Sequence, residues 1–539
     1  MKDVHSYPLA EALRQAYRAG EDDEMMEPLV RVDEGGRPIG RIEDGDYVIF
    51  YDLRGEREIE LTQAFVDTDF PYFEQASINT HWVTMIEYHP SLDVRVAFPP
   101  GGDIRDTLSE TVSRAGSQQI KIVESEKQVH LTTFLNGGRL DPFPGESWHI
   151  IESLEPEKYL PPPQMRASDV ADAAIEALRD ASIDLIIVNW ANVDVIGHSE
   201  DREAIKIAVS TVDEQLGRVL TVAKEMGVAA LVTADHGTVE KWYYPDGSID
   251  TGHTDSDVPF IFVAPQLLSE SAPNRRLALR DGGTLIDVAP TVLDLMDIEK
   301  PPLMMGSSLI VGHEEGGSQR VALFILDGWG LRDESWGNLI QEADTPVMDE
   351  LLQAGPATRL EAAGEAVGLP NEVPNRVGKT VGNSEVGHTH IGAGRVVVSD
   401  RLRVERAIED GTFLDNDALR WAMEEAKESG QALHFLGIIS FYSSHGSVEH
   451  LKALLRMAQR TGVQEVYIHG MLGRRGEKPE SGAIYVGDIE AECERLGVGQ
   501  FVSLIGRFWS LDREYNWDRI EKSYRWLVDG AGRPVTGDG

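Results

Sequence analysis

Aspartate and histidine recur just beyond short apolar runs of this chain. DLIIVNW (184–190) leads into ANVDVIGH, which sets Asp194 and His198 four residues apart, a spacing that one helical turn brings to one face. AALVTA (229–234) runs into Asp235 and His236, VALFIL (321–326) runs into Asp327, and His253 stands in DTGHT just ahead of VPFIFVA (258–264). An aspartate after a strand often only caps a turn or helix. Three Asp and three His on one sheet edge are a different matter, because mixed carboxylate and imidazole donors suit Mn2+ or Zn2+. Ser384, in GNSEVGH, adds a hydroxyl that a metal could activate by lowering its pKa. Its plainer role would be a helix N-cap.

Other run ends carry cations. VIFYDL is followed by Arg54 and Arg57, VYIHGML by Arg474 and Arg475, and VSLIG by Arg507 with Arg513 a short step on. ESEKQVH adds Lys127 and SFYSSHGS adds His445. Arginine is the side chain for bidentate recognition of phosphate or carboxylate. The chain has 91 acidic and 50 basic residues, a formal net charge of -41, so nucleic acid and anionic lipid are excluded as general partners. Cations concentrated against that background imply a small anionic substrate.

The elements that must position these residues alternate. Besides the runs above, DYVIFYDL (46–53), ALHFLGII (432–439), EVYIHGM (465–471) and FVSLIG (501–506) read as buried parallel strands. ASDVADAAIEALRDA and DREAIKIAVSTVDEQLGRVLTVAKEMG carry the i, i+3/i+4 apolar stripe of helices between them. That pattern predicts α/β architecture with parallel sheets covered on both faces, and 539 residues suffice for two to four domains. The single cysteine, Cys493, allows no internal disulfide and reads as a half-buried, inert thiol on a helix. No segment resembles a signal peptide or a membrane span, which predicts a cytoplasmic protein. VGHEEGGSQR (311–320) reads as a linker, and GLPNEVPNRVGKTVGNSEVGH (368–388) as a long irregular loop.

Taken together, ILDGWG, GNSEVGHTHIGAGRVV, NWANVDVIGH, TADHG, GHT and ESEKQVHLTTFLNGG resemble consecutive signatures of the cofactor-independent phosphoglycerate mutases of the alkaline phosphatase superfamily. The resemblance covers nearly the whole chain, in rotated order. Family members begin near ILDGWG, here at about 320, and YRWLVDGAGRPVTGDG at the end resembles family text that would continue into SYPLAEALRQAYRAG at the start. The resemblance therefore implies a circular permutation joined through 311–320. It implies a metal-binding phosphatase-like domain over 102–398 and a substrate-binding domain split between 1–101 and 399–539. One Mn2+ would be held by Asp194, His198 and His253, and the other by Asp327, Asp235, His236 and Ser384, with Zn2+, Co2+ or Mg2+ as alternatives. Ser384 would be the nucleophile, and Lys127, Arg475, His445, Arg54, Arg57, Arg507 and Arg513 match the family's residues around the phospho-acid, Lys127 and Arg475 being counted as catalytic too. A monomer is expected.

The departures lie together. The family's DGRD reads Gly473-Arg474-Arg475-Gly476, so both carboxylates are gone, including the one that resemblance assigns to acid/base work on the glycerate hydroxyls; Glu477 follows. The family's SDGGVHSH reads SFYSSHGS, with Phe441 in place of an Asp. Three functions stay open: interconversion of 3- and 2-phosphoglycerate, the same phosphoserine chemistry on another phosphorylated or phosphonylated acid, and a non-catalytic metal-stabilised binding protein.

Overall fold

The computed structural model describes residues 7–101, 104–154, 162–244, 246–263, 278–311, 319–371, 378–441, 443, 445–473 and 481–537. The chain divides into two units, Gly102–Ser399 and the discontinuous pair Met1–Gly101 with Asp400–Gly539. Each has its own buried apolar core and its own eight-stranded sheet, mixed but mainly parallel.

In Gly102–Ser399 the strand order is Gly283–Thr284, Ala357–Glu361, Val258–Val263, Ala229–Thr233, Val321–Leu326, Leu185–Trp190, Gln119–Glu124 and Glu146–Ile151. The last five run parallel to one another. Val321–Leu326, buried at every residue, is the middle of the layer, as expected of an apolar run flanked on both faces. The 25-residue helix Arg202–Met226 covers the sheet with the stripe Ile205, Val209, Val212, Leu216, Val219; the Asp201 side chain caps its start by accepting from the Ala204 N–H.

One strand corrects the sequence reading. Val258–Val263 is not parallel: it pairs antiparallel with both Ala229–Thr233 and Ala357–Glu361. A run buried on both faces looks the same in either direction, so periodicity could not decide this. The loop at 368–388 also turns regular sooner than expected, because a helix begins at Ser384; residues 372–377 lie outside the described residues. Of the linker at 311–320, positions 312–318 lie outside them as well.

The other unit orders its strands as Arg533–Val535, Leu29–Arg31, Gln500–Gly506, Val466–Leu472, Leu433–Ile438, Tyr47–Phe50, His81–Ile86 and Arg95–Phe98. From Gln500–Gly506 onward all neighbours are parallel. Strands from the two ends of the chain interleave, with Leu29–Arg31 beside Arg533–Val535. Cys493, on the helix Gly482–Leu496, is buried rather than half-buried, and burial pushes its thiol up to about 12. Among the described residues no helix is long and apolar enough to cross a membrane.

Leu323 is wholly buried at the middle of its sheet. Leu323→Ala should lower unfolding free energy by about 2–5 kcal/mol in urea titration; an unchanged midpoint would contradict its place in the core.

Candidate metal centre

Three adjacent parallel strands end at one edge of the Gly102–Ser399 sheet. Asp235 and His236 follow Ala229–Thr233, and Asp327 follows Val321–Leu326. After Leu185–Trp190 a single turn, Asn192–Gly197, carries Asp194 and ends on His198. Being antiparallel, Val258–Val263 begins at this same edge, which brings in His253 five residues before its start. The next parallel strand, Gln119–Glu124, leads into the 3-10 turn Ser125–Lys127 and so delivers Lys127. The edges close tightly at Gly328, whose φ is +83°; a Cβ there would lie 2.9 Å from the Asp194 backbone.

Ser384 is the first residue of the helix Ser384–Ala393, and the cap is its neighbour: Asn383 Oδ1 accepts the Val386 N–H at 2.8 Å. Its hydroxyl is therefore spared from capping. It lies 2.5 Å from Lys127 Nζ, 3.1 Å from His236 Nε2 and 3.2 Å from Asp327 Oδ1.

Two donor sets meet here. Asp194 Oδ1 lies 3.1 Å from His253 Nε2 and 3.4 Å from His198 Nε2, and the two imidazole nitrogens are 3.3 Å apart. The other donors overlap the first set: Asp194, His236 and Asp327, and Asp235, Asp327 and His388, each gather donor atoms within 4.8 Å, with His236 Nε2 3.4 Å from Asp235 Oδ2 and 3.8 Å from both Asp327 Oδ1 and Asp194 Oδ1. Lys127 Nζ stands between the sets, 2.6 Å from both Asp194 Oδ2 and Asp327 Oδ1.

Burial works against the charge on Lys127, but Asp327, Asp194 and Asp235 outweigh it and hold the ammonium protonated. Burial likewise opposes ionisation of Asp194 and Asp235. Lys127 and the imidazoles around Asp194, and His236, His388 and Lys127 around Asp235, still keep both well below the usual carboxylate range. Asp327 moves upward, lifted by burial and by the charge of Asp235.

These residues fit metal ions on two counts. Asp235 Oδ1 accepts from the His236 and Gly328 N–H groups, while Oδ2 is wholly buried without a hydrogen-bond partner. That is an orphaned anion facing a cluster of further donors. Second, His198 Nδ1 donates to Thr251 O at 2.8 Å and His253 Nδ1 to Gly382 O at 3.0 Å. Both imidazoles thus turn bare Nε2 lone pairs toward each other and toward Asp194, the tautomer and orientation of metal-binding histidines.

Sequence reasoning missed His388 and Asn189. His388, four residues after Ser384 on one helix face, donates from Nδ1 to Ser384 O at 2.8 Å and approaches Asp235 Oδ2 at 3.4 Å. Asn189 Nδ2 donates to Asp327 Oδ2 at 2.8 Å. The i, i+4 spacing of Ser384 and His388 was the available signal.

In the discontinuous unit, three of four adjacent parallel strands lead at their carboxyl ends into described arginine or histidine side chains. Arg54 and Arg57 follow Tyr47–Phe50, His445 follows Leu433–Ile438, and Arg507 follows Gln500–Gly506. Arg507 Nη2 lies 3.2 Å from His445 Nε2, Arg57 Nη1 donates to Leu511 O at 2.9 Å, and Arg54 and Arg513 share Glu56 Oε2 at 3.1 and 3.0 Å. Arg474, Arg475, Gly476 and Glu477, after Val466–Leu472, lie outside the described residues. Gly473 is described: at φ +105° a Cβ would stand 2.8 Å from the Glu24 backbone, so this backbone admits no carboxylate there. Phe441 stacks on Tyr485.

The fold and the donor set define a metalloenzyme-type α/β protein. Residues 32–300 match the model of the metalloenzyme superfamily, and residues 404–537 that of the BPG-independent PGAM N-terminus. A 2,3-bisphosphoglycerate-independent phosphoglycerate mutase of Moorella thermoacetica is 41% identical over 304 residues, covering 56% of this chain and 57% of that protein. Proteins of the same description from Listeria monocytogenes and Methanococcoides burtonii are 39% and 40% identical, each with 56% of this chain and 57% of theirs covered. A solved phosphoglycerate mutase of Leishmania mexicana aligns at 28% identity with a TM-score of 0.38, covering 52% of this chain and 53% of that one. The chain thus spans somewhat over half the length of the curated relatives it matches. It belongs to the 2,3-bisphosphoglycerate-independent phosphoglycerate mutase family, in permuted order, with the segment that matches the family's N-terminus at its C-terminal end.

Mn2+ at a hundredfold excess over its Kd should stabilise the protein by about 2.7 kcal/mol per site, read as a rise in Tm that a chelator reverses. Asp235→Asn should shrink that rise, because an amide offers no charge to a dication. A Tm indifferent to Mn2+ would contradict the metal reading.

Proposed function

We propose that the chain is a two-metal phosphotransferase that interconverts 3-phosphoglycerate and 2-phosphoglycerate through a phosphoserine at Ser384. The observation that carries this reading is the Ser384 hydroxyl, released from capping and held against Lys127, His236 and Asp327 beside the orphaned oxygen of Asp235. Asp194, His198 and His253 would hold one divalent cation, Mn2+ foremost, and Asp327, Asp235, His236 and Ser384 the other. Such ions supply positive charge for phosphoryl oxygens and lower the pKa of a bound hydroxyl.

The chain's own groups do the rest. The ten-residue helix that opens on Ser384 aims its N-terminal N–H groups and positive dipole end at the place where a phosphoryl group on Oγ would sit. Lys127 adds an ammonium at the same oxygen. His388 and Asn189 fix the helix end and Asp327. The split unit binds the acid: Arg54, Arg57, Arg507 and Arg513, with Arg475, supply forked donors for carboxylate and phosphate. The metal chemistry therefore belongs to Gly102–Ser399, substrate binding to Met1–Gly101 with Asp400–Gly539, and the working form is a cytoplasmic monomer.

One observation favours a second reading, the same chemistry on another phosphorylated or phosphonylated acid. Gly473 cannot carry the family's carboxylate, and Phe441 replaces another. A purely binding role is disfavoured, since binding needs no buried, uncapped serine hydroxyl.

³¹P NMR of the Mn2+-loaded protein with 3-phosphoglycerate and a panel of phospho- and phosphono-acids separates these readings. The expected outcome is the 2-phosphoglycerate resonance, with phosphate found on Ser384 by peptide mass analysis and turnover lost in Ser384→Ala. Turnover of another acid alone would select the second reading; wild-type turnover by Ser384→Ala would remove the phosphoserine route.

A further inference from the structure

Beside the carboxylate and imidazole cluster lies one more wholly buried acid, Glu240, which the phosphotransfer reading leaves unused. It sits on the segment that carries Asp235 and His236. The Thr238 N–H donates to its Oε2 at 3.0 Å, and the Thr254 hydroxyl donates to its Oε1. The chain closes tightly around this carboxyl group. A Cβ at Gly330 would overlap it, and one at Gly237 would stand 2.6 Å from Oε1. Neither glycine has a positive φ, so the backbone does not demand glycine there; what the missing side chains leave is room for Glu240. Gly237 and Thr254 are bridged as well, the Thr254 N–H donating to Gly237 O at 3.0 Å.

The threonines around Glu240 lead on to the first donor set. Thr238 Oγ1 donates to Asp194 Oδ1 at 3.3 Å. Thr254 is the residue after His253. Gly197, the residue before His198, comes so close that a Cβ on it would lie 2.8 Å from Thr238 Cγ2. Asp194, His198 and His253 therefore all lean on the two threonines that Glu240 clamps. The remaining carboxylates are fixed by other means: the His236 and Gly328 N–H groups hold Asp235, and Asn189 holds Asp327.

We propose that Glu240 is a positioning residue for the cation site of Asp194, His198 and His253, and that it serves this site in preference to the one at Asp235 and Asp327. The proposal rests on the two-metal reading and goes on to say what holds one of the two sites in shape. Thr238 belongs to the segment after Ala229–Thr233 and Thr254 to the approach to Val258–Val263, so one carboxyl group ties together two segments of separate strands. Donors that are already in place bind an ion more tightly than donors that must be ordered as it arrives. Groups that orient metal ligands from behind act in this way. Packing alone does not account for Glu240, because an apolar side chain would fill the same space without the cost of burying a carboxyl group.

Mn2+ titration of the protein stripped of metal by chelation, with unbound Mn2+ counted by its EPR signal, tests this without recourse to activity. The wild type should take up two ions per chain. Glu240→Ala should keep one ion and bind the other about 10–100-fold more weakly, and anomalous diffraction should place the retained ion at Asp235 and Asp327. Thr254→Val keeps the shape of the side chain and removes its hydroxyl; it should weaken the same site, and Thr254→Ser should restore most of the affinity. That pair decides the matter should Glu240→Ala fail to fold. A role in the fold alone would lower the Tm of the metal-free variants without separating the two ions. Two ions held with wild-type affinity in folded Glu240→Ala or in Thr254→Val, or equal weakening of both, would overturn the proposal. A wild-type protein that binds no Mn2+ would instead bring down the two-metal reading, and this proposal with it.

Discussion

Asp194, Asp235 and Asp327 stand beyond the ends of three neighbouring strands, almost wholly out of water. Like charges at such spacing repel by several kcal/mol even at an effective dielectric near ~20. Among the described residues one ammonium, that of Lys127, stands against them, bridging Asp194 and Asp327. Much of the surrounding architecture answers that constraint. Backbone N–H groups of His236 and Gly328 turn inward to Asp235, and Asn189 donates to Asp327. Imidazoles are held by carbonyls so that their lone pairs face the cluster. Removing any one partner strands a buried charge, which costs more than the partner's own contact is worth.

The opposite constraint governs the other unit. In a chain with net charge -41, Arg54, Arg57 and Arg507 follow the carboxyl ends of parallel strands of one sheet, where open α/β sheets place their ligands. There Asp52, Glu58 and His445 are buried together, with Arg507 3.2 Å from His445 Nε2. Leu29–Arg31 pairs with Arg533–Val535, so segments far apart in sequence form neighbouring strands of one sheet.

The site residues were legible where their strands were. Asp235, His236 and Asp327 follow apolar runs so closely that naming the strand names the residue. His253 was read as a candidate although its strand was assigned the wrong direction. Only an antiparallel Val258–Val263 starts at the edge where the parallel strands end, and sequence pattern does not encode direction. His388 and Asn189 were missed because a helix face and a strand residue mid-run look like packing. Glu58 and Asp52 were hidden for another reason: they stand among arginines and read as surface ion-pair partners, whereas the fold buries them. The short or half-polar strands Gln119–Glu124 and Ala357–Glu361 escaped notice because their alternation is weak.

The central claim is that this carboxylate and imidazole cluster is a two-cation site built around Ser384. Anomalous diffraction at the manganese absorption edge, on crystals of the Mn2+-loaded protein, tests it most directly. The account predicts two peaks per chain, one among Asp194, His198 and His253 and one among Asp235, His236, Asp327 and Ser384. No peak within the cluster, with Lys127 alone bridging Asp194 and Asp327, would contradict it.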